Sequence, residues 1–289
     1  MLCYGSDMNI LSVQSHVSVG HAGNASAVFP LQRMGINVWP VYTVLFSNSG
    51  ASRKGSTVSA GWVKEILAGV DALGVMAQCN AILSGYLGEP GTADALADAV
   101  SSMKQQHPDL LYCCDPVMGD DGRVYVDEDL PALFLNTLIP LADMVTPNQF
   151  ELELLTGCSI SNLKSILEAG RKLLAAGPEV VLVTSVAVSD MDSDVIGMIA
   201  LTEHDTWYVQ TPFFEKPGAI GGSGDVATAV FLARYLLSKD LKLALEYTAG
   251  VMFALFEYAC QQGSRDLLLI EAQDKLMNPP QFNAQRLSE

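Results

Sequence analysis

Short apolar runs typical of buried strands alternate with runs typical of helices along almost the whole chain. The first strand-like run covers residues 9–14, and a helix-like stretch follows at 24–34. Residues 180–184 form a later strand-like run, and the pattern closes with long helix-like stretches at 225–238 and 241–261. Strands joined by helices pair in parallel, and both faces of such a sheet are covered. The sequence therefore predicts an α/β fold with a mainly parallel central sheet and helices on both faces.

Two segments depart from this alternation. Residues 195–202 and 206–210 are separated only by the polar turn 203–205, which predicts an antiparallel pair. Residues 47–59 are rich in Ser, Gly and Ala and show no periodicity. We expect this stretch to be a mobile surface loop, which either covers a site or only connects two elements.

Charge and cysteine usage restrict the function classes. The 289 residues include 32 Asp and Glu against 16 Lys and Arg, a balance that disfavours nucleic acids and anionic membranes as partners. None of the six cysteines forms a C-x-x-C pair, and no apolar run approaches the ~18 residues of a membrane span. Residues 1–7 lack the segments of a signal peptide. We expect a cytoplasmic protein with a single domain at 8–289 and an N-terminal extension at 1–7.

Polar residues follow the predicted strands at the points where four of them end. They are Ser15 and His16, Asp115, Thr146 and Asn148, and Thr184 and Ser185. Each one taken singly is compatible with a cap or a turn. The carboxyl ends of parallel strands share one edge of the sheet, where open α/β folds bind ligands. This distribution favours a ligand site at that edge.

The strongest single motif is the glycine turn Gly221-Gly222-Ser223-Gly224-Asp225, which directly precedes an apolar helix. Glycines allow close backbone approach, and the free N–H groups of a helix start favour an anion. A carboxylate beside such a turn can accept a proton from an attacking hydroxyl during phosphoryl transfer. The alternative is a structural turn in which Asp225 only caps the helix. The nearest approach to a Walker A loop lacks its lysine, because Ser56 follows Gly55.

A second motif places Asn148 and Glu151 three residues apart at a predicted helix start. One interpretation is a capping box. The other is that Glu151 faces the site and organises hydrated Mg²⁺, which takes few protein carboxylates. Asp115 and Asp120 add two carboxylates at a strand end, so that with Asp225 the four would suit a metal–nucleotide site.

Seven segments together resemble the pyridoxal kinase branch of the ribokinase-like superfamily, with similarity from residue 8 to about residue 280. They are SVQSHV (12–17), GHAGN (20–24), FSN (46–48), SGY (84–86), DPVMGD (115–120), TPNQFE (146–151) and GSGD (222–225). The resemblance implies a ribokinase-like three-layer sandwich, usually assembled as a homodimer. It also implies ATP-dependent phosphorylation of the 5′-hydroxyl of pyridoxal, pyridoxine or pyridoxamine with Mg²⁺, and a monovalent cation such as K⁺ is compatible with it.

By the same resemblance, Asp225 is the general base, and the N–H groups of Gly222, Ser223 and Gly224 form an anion hole. The metal residues are expected to be Asp115, Asp120 and Glu151, with Glu151 acting through water. The nucleotide residues are expected to be Asp115, Tyr125, Thr146, Glu151, Thr184, Ser185 and Ser223, with Tyr125 on a flap over the phosphates and residues 206–214 near the adenine. The expected substrate residues are Ser15, Phe46, Tyr86 and Asp225.

The chain departs from the family pattern after Phe46-Ser47-Asn48. The family usually continues with His-Thr and a Tyr-Gly pair, whereas this chain has Ser49-Gly50-Ala51-Ser52 and so lacks a side-chain donor at Gly50. Ser223 replaces the usual Thr with its hydroxyl kept, and Thr184 stands where many bacterial relatives have Lys. The loop change bears on affinity and on the preferred vitamer. Two alternatives follow, a hydroxymethylpyrimidine kinase of the same superfamily and a low-turnover carrier of B6 vitamers.

Overall fold

A computed structural model describes residues 8–50, 52–120, 122–215 and 220–287. The predicted extension at 1–7 and Ala51 of the altered loop lie outside these residues. In the described part of the chain, twelve strands are β1 Asn9–Val17, β2 Asn37–Phe46, β3 Gly55–Thr57, β4 Ala81–Ser84, β5 Leu111–Cys114, β6 Gly119–Asp120, β7 Arg123–Val124, β8 Met144–Val145, β9 Val180–Val186, β10 Val195–Leu201, β11 Thr206–Pro212 and β12 Gln285–Arg286.

Ten of these strands form one sheet in the order β12-β11-β10-β9-β8-β5-β4-β1-β2-β3, and β6 and β7 form a separate hairpin. The pairs from β2 to β9 are parallel. The β9–β10, β10–β11, β11–β12 and β2–β3 pairs are antiparallel. The mainly parallel sheet and the antiparallel pair predicted for residues 195–202 and 206–210 are confirmed.

The nine α-helices of the described residues are α1 Asn24–Arg33, α2 Ala60–Ala72, α3 Pro90–Gln106, α4 Leu130–Leu133, α5 Gln149–Thr156, α6 Leu163–Leu174, α7 Ser223–Ser238, α8 Leu241–Gln261 and α9 Gln273–Met277. They cover both faces of the sheet. On one face α2, α3, α5 and α6 pack in one apolar core with Leu11 and Val13 of β1. On the other face α1, α7 and α8 pack in a second core with Ile10. Alternate residues of β1 thus enter opposite cores, as a strand buried on both faces requires.

Helix α8 is apolar and long enough to cross a membrane by length and composition alone. In the fold it lies against the sheet, with Leu245 and Leu255 fully buried. Packing inside the protein therefore accounts for its apolar character, since core helices and membrane spans have similar compositions.

The loop prediction for residues 47–59 was wrong in part. Gly55–Thr57 forms the edge strand β3, with Phe46 opposite Gly55 in the antiparallel register. All three residues of β3 are exposed, so the strand carries no apolar alternation that a sequence pattern could detect. Backbone pairing with β2 supplies the order that hydrophobic burial would otherwise provide.

Candidate active site

The carboxyl ends of β1 and β2 form one side of the site. Ser15 is buried near the end of β1, beside an irregularity in the β1–β2 register. After the turn, Gly23 comes back to pair with His16 in an isolated antiparallel bridge. A Cβ on Gly23 would lie 2.2 Å from Ser15 Oγ, and its φ is 56°. Only glycine therefore fits where the start of α1 closes against Ser15.

Asp225 forms a hydrogen bond with this glycine. The Gly23 N–H donates a hydrogen bond of 2.7 Å to Asp225 Oδ2, although the two residues are 202 positions apart. Burial raises the pKa of Asp225, and the Gly23 N–H opposes that rise. The carboxylate thus has a fixed orientation and a proton affinity above that of an ordinary aspartate, which suits a proton acceptor.

The glycine turn has the backbone shape that the sequence predicts. Gly222 caps α7 with a φ of 79°, and a Cβ there would lie 2.3 Å from the His21 carbonyl oxygen. The helical hydrogen bonds of α7 begin with the Val226 N–H donating to the Gly222 carbonyl. Amides earlier in the turn therefore have no partner inside the helix, and the helix dipole adds to their attraction for an anion.

A buried network of hydroxyls holds Asp115 at the end of β5. Thr228 of α7 donates to Asp115 Oδ2 at 3.2 Å, and the Thr228 and Thr146 hydroxyls are 2.8 Å apart. Burial raises the pKa of Asp115 well above its usual range, and the Glu151 and Asp225 carboxylates add to the rise. Thr146 lies in this network and is 2% exposed, so its hydroxyl faces Asp115 and α7.

Glu151 forms the predicted capping box of α5 and contacts the next loop as well. Its Oε2 accepts the Asn148 N–H at 3.0 Å, and its Oε1 accepts the Met118 N–H at 2.8 Å. Burial raises the pKa of Glu151 to about 7, while these backbone N–H groups lower it. The capping interpretation is confirmed. Glu151 also lies near the site, because the Met118 that it binds directly precedes the Gly119–Asp120 strand.

The predicted carboxylates do not form a direct metal cage. Among the described residues no group of three or more His, Cys, Asp or Glu side chains is placed to hold a metal ion. Both Glu151 oxygens accept backbone N–H groups, and one Asp115 oxygen accepts Thr228. Such a set fits a hydrated Mg²⁺ held through water and substrate phosphates, which is how this ion is usually bound.

A cavity of about 550 Å³ adjoins the glycine turn. Ser223, Gly224, Asp120, Thr184 and Ser185 line its polar end. Ser185 has a φ of 54°, and the β9–β10 register shifts beside it, so a bulge turns its side chain away from the regular pleat. The remaining walls are mostly apolar and come from β10, from β11 and the two residues after it, and from α8: Ile196, Gly197, Met198, Val209, Thr211, Pro212, Phe213, Phe214, Ala249, Met252, Phe253 and Phe256.

The α8 wall was not predicted from the sequence. Ala249, Met252, Phe253 and Phe256 recur at helical spacing, and this signal alone indicates only a buried helix face. Their place beside the glycine turn follows from the packing of α7 on α8 and so depends on the tertiary fold.

The sequence did not predict the β6–β7 hairpin, which contains Asp120 and contacts α5. Tyr125 follows it and donates its N–H to the Met118 carbonyl at 3.0 Å. Burial raises the pKa of the Tyr125 phenol, and the carboxylates of Glu151, Asp225, Asp115 and Asp120 raise it further. The phenol is therefore within electrostatic range of all four acids.

Phe46 and Tyr86, two of the residues predicted to bind substrate, lie at the carboxyl ends of β2 and β4, the strands on either side of β1. The Thr43 hydroxyl donates to the Tyr86 carbonyl at 2.6 Å and fixes the turn after β4. Phe46 ends β2 and is half-buried, and the Arg53 guanidinium lies 5.1 Å from the centre of its ring. The sequence did not single out Arg53 for this position.

Comparisons with known proteins agree with this architecture. A family model described as phosphomethylpyrimidine kinase matches residues 20–266. The protein named pyridoxal kinase PdxY of Deinococcus radiodurans is 43% identical over 287 residues, with 96% of each chain covered. The pyridoxal kinase PdxY of Corynebacterium diphtheriae is 43% identical over 285 residues, covering 97% of this chain and 100% of the relative. The structure of pyridoxal kinase from Leishmania donovani in complex with ADP and pyridoxine matches with a TM-score of 0.91 and 28% identity, covering 98% of this chain and 100% of that one.

The sheet order, the two helical layers and the glycine turn beside a cavity define a kinase of the ribokinase-like class. Full-length similarity to curated relatives narrows the class further. The chain belongs to the phosphomethylpyrimidine kinase family and, within it, to the pyridoxal kinases.

Proposed function

We propose that this protein transfers the γ-phosphoryl group of ATP to the 5′-hydroxyl of pyridoxal, and of pyridoxine and pyridoxamine. The observation that carries the proposal is Asp225, held by the Gly23 N–H at the start of α7 where the cavity meets the glycine turn. The relatives named pyridoxal kinase, and the Leishmania donovani structures with ADP and pyridoxine or pyridoxamine, support the substrate class.

In the proposed mechanism, Asp225 accepts the proton of the 5′-hydroxyl as its oxygen attacks the γ-phosphorus. A new O–P bond forms, the bond from the γ-phosphorus to the bridging oxygen breaks, and ADP leaves with the electron pair. The N–H groups of Gly222, Ser223 and Gly224 stabilise the charge on the transferred group, because they are preorganised at a helix start. The Gly23 hydrogen bond keeps the carboxylate aimed at the hydroxyl.

The cavity is the proposed nucleotide pocket. Thr184 and Ser185 bind the nucleotide at the polar end of the cavity, and the apolar wall of β11 and α8 packs on the adenine. Tyr125 and the β6–β7 hairpin form a flap over the phosphates, with Asp115 and Thr146 beneath them. Ser15, Phe46 and Tyr86 bind the pyridine ring at the neighbouring strand ends.

Mg²⁺ would be held through water by Glu151, with Asp115 and Asp120 near it, and a monovalent cation such as K⁺ is compatible with the same site. The chemistry that such a cation would supply is neutralisation of phosphate charge. Glu151 also fixes the loop that contains Met118, so its role includes positioning. We further propose that the enzyme is cytoplasmic and forms a homodimer. Light scattering on the purified protein tests the dimer.

A hydroxymethylpyrimidine kinase is the second candidate. The matching family model is described as phosphomethylpyrimidine kinase, and a structure described as a putative phosphomethylpyrimidine kinase from Bacteroides thetaiotaomicron matches with a TM-score of 0.88 and 26% identity. The same Asp225 chemistry would act on the smaller ring.

The test is a steady-state assay with Mg-ATP and each of pyridoxal, pyridoxine, pyridoxamine and hydroxymethylpyrimidine. Asp225→Asn keeps the shape and the Gly23 contact and removes the proton acceptor, so we expect turnover to fall about 10²- to 10⁴-fold with ATP binding retained. Turnover of hydroxymethylpyrimidine alone would select the second candidate. Binding of a vitamer without any turnover would select a carrier, and loss of ATP binding in the folded mutant would contradict the role of Asp225.

A further inference from the structure

The described residues of the loop between β2 and β3, 47–50 and 52–54, form several hydrogen bonds. The Ser47 N–H donates to the Lys54 carbonyl at 2.7 Å, and the Lys54 N–H donates to Ser47 Oγ at 2.9 Å. The Arg53 N–H donates to the Gly50 carbonyl at 3.0 Å. The Val19 N–H also donates to the Ser47 carbonyl at 2.9 Å, so the loop is attached to the segment after β1.

The same loop reaches the glycine turn of α7. Ser49 Oγ lies 2.7 Å from the position that a Cβ on Gly221 would occupy. The loop therefore extends from Phe46 at the end of β2 to the turn that precedes Asp225. A ring bound between these two points lies against the loop on one side.

Arg53 places a positive charge on this loop. Its guanidinium lies 5.1 Å from the centre of the Phe46 ring, within the range of a cation–π contact. None of the ion pairs found between described residues includes Arg53. A guanidinium carries a positive charge that is spread over a planar group. Arg53 is exposed, and the proposed site beside its loop contains the carboxyl groups of Asp225 and Asp115.

We propose that Arg53 is a specificity-determining residue that disfavours a cationic substituent at position 4 of the pyridine ring. The inference rests on the proposed function. The ring carbon at position 4 is bonded to the carbon that bears the 5′-hydroxymethyl group. With that hydroxyl at Asp225 and the ring beside Phe46, as proposed above, the 4-substituent would lie close to the loop that carries Arg53. Pyridoxamine carries an ammonium group there, whereas pyridoxine carries a neutral hydroxymethyl group.

The physical reason is that the positive charge of Arg53 repels the ammonium group of pyridoxamine but not the neutral group of pyridoxine. The acidic side chains of the site would by themselves attract the ammonium group of pyridoxamine. Arg53 opposes this attraction through Coulomb repulsion, which is stronger at a partly desolvated protein surface than in water. Its stacking on Phe46 limits the directions in which the guanidinium can move away. The effect acts on binding of the free substrate and leaves the nucleotide pocket unchanged.

The experiment compares kcat/KM for pyridoxamine and pyridoxine in the wild type, Arg53→Gln, Arg53→Lys and Lys54→Gln. The matched control, Lys54→Gln, removes the same charge from the next residue of the loop and leaves the Phe46 contact in place. We expect Arg53→Gln to raise the ratio of pyridoxamine to pyridoxine about tenfold, a change of the size that one charge contact produces. Arg53→Lys should keep a ratio near the wild type, and KM for ATP should stay unchanged throughout.

Direct titration of both vitamers, without ATP, gives a second readout, because the discrimination should also be present in Kd. An equal ratio in Arg53→Gln and Lys54→Gln would overturn the inference while leaving the proposed function intact. Wild-type protein that phosphorylates no B6 vitamer would instead refute the proposed function. An equally raised ratio in Arg53→Lys would contradict the charge argument.

Discussion

Asp225 combines two features that a general base needs, a fixed direction and a raised proton affinity. Both come from its immediate surroundings, because burial raises its pKa and the Gly23 N–H fixes one of its oxygens. The residue type and its place after the glycine turn are visible in the sequence. The Gly23 contact is not, because it joins residues with no shared local pattern.

The pKa of Asp225 leads to a prediction about activity. A base must be ionised to accept a proton, so kcat/KM should fall as the pH decreases through the raised pKa of Asp225. We expect the acid limb of the profile, measured with both pyridoxine and pyridoxal, to lie above the ~4 of an ordinary aspartate. A limb at that ordinary value with both substrates would contradict the prediction.

Gly50 provides a second prediction at this scale. A Cβ at Gly50 would meet only the side-chain nitrogen of Asn48 at 3.0 Å, which can rotate away. Gly50→Thr should therefore be accommodated and should restore a donor to the loop. We expect KM for pyridoxal to decrease several-fold, by the ~1 kcal/mol of one added hydrogen bond. Gly50→Val has a similar shape without the hydroxyl and serves as control; an equal decrease there would exclude the hydrogen bond.

At the scale of elements, the long strands and helices could be predicted from periodicity, and their boundaries agree within a few residues. Helix α8 has the predicted bounds, Leu241–Gln261. The missed elements are short or irregular: β3, β12, the β6–β7 hairpin, the helical stretch from α4 to Leu141, and α9. Two- or three-residue strands have too few side chains to show alternation, so only tertiary pairing defines them.

Two equivalent capping boxes allow a matched test of helix placement. Asn148 caps α5 beside the site, and Asn162 caps α6 on the same face of the sheet. Replacing either by Ala should lower the free energy of unfolding by about 1 kcal/mol, since each loses one side-chain cap. Denaturant unfolding measures this loss.

Only Asn148→Ala should also lower kcat/KM. The Asn148 side chain donates to the Gly119 carbonyl at 2.9 Å, and its N–H is held by Glu151. Removing it should loosen the hairpin that carries Asp120. Equal activity of the two variants would show that the α5 cap contributes to stability alone.

For the molecule as a whole, the buried acids make stability depend on pH in an unusual direction. Glu151 has its pKa raised from 4.5 to about 7, so between these values the folded state binds more protons than the unfolded state. This contribution to the free energy of unfolding is fully present below the lower pKa and is lost as the pH rises through the higher one.

Glu151→Gln removes that titration. We expect the variant to gain stability relative to the wild type as the pH rises from about 5 to about 8, measured by urea unfolding. Glu65→Gln, an exposed carboxylate of α2, controls for the change in net charge. A constant difference between wild type and Glu151→Gln across this range would show that Glu151 does not titrate there.

The hydrogen bond between Gly23 and Asp225 also determines when the site can exist. It joins two residues 202 positions apart, so most of the chain must be synthesised before the proton acceptor meets its support. We expect this contact to form late in folding, because bringing such distant residues together costs chain entropy before long-range contacts stabilise the fold. A nascent or partly folded chain would therefore lack an oriented base, even where its sheet is formed. Catalytic activity would then indicate that the chain has folded completely.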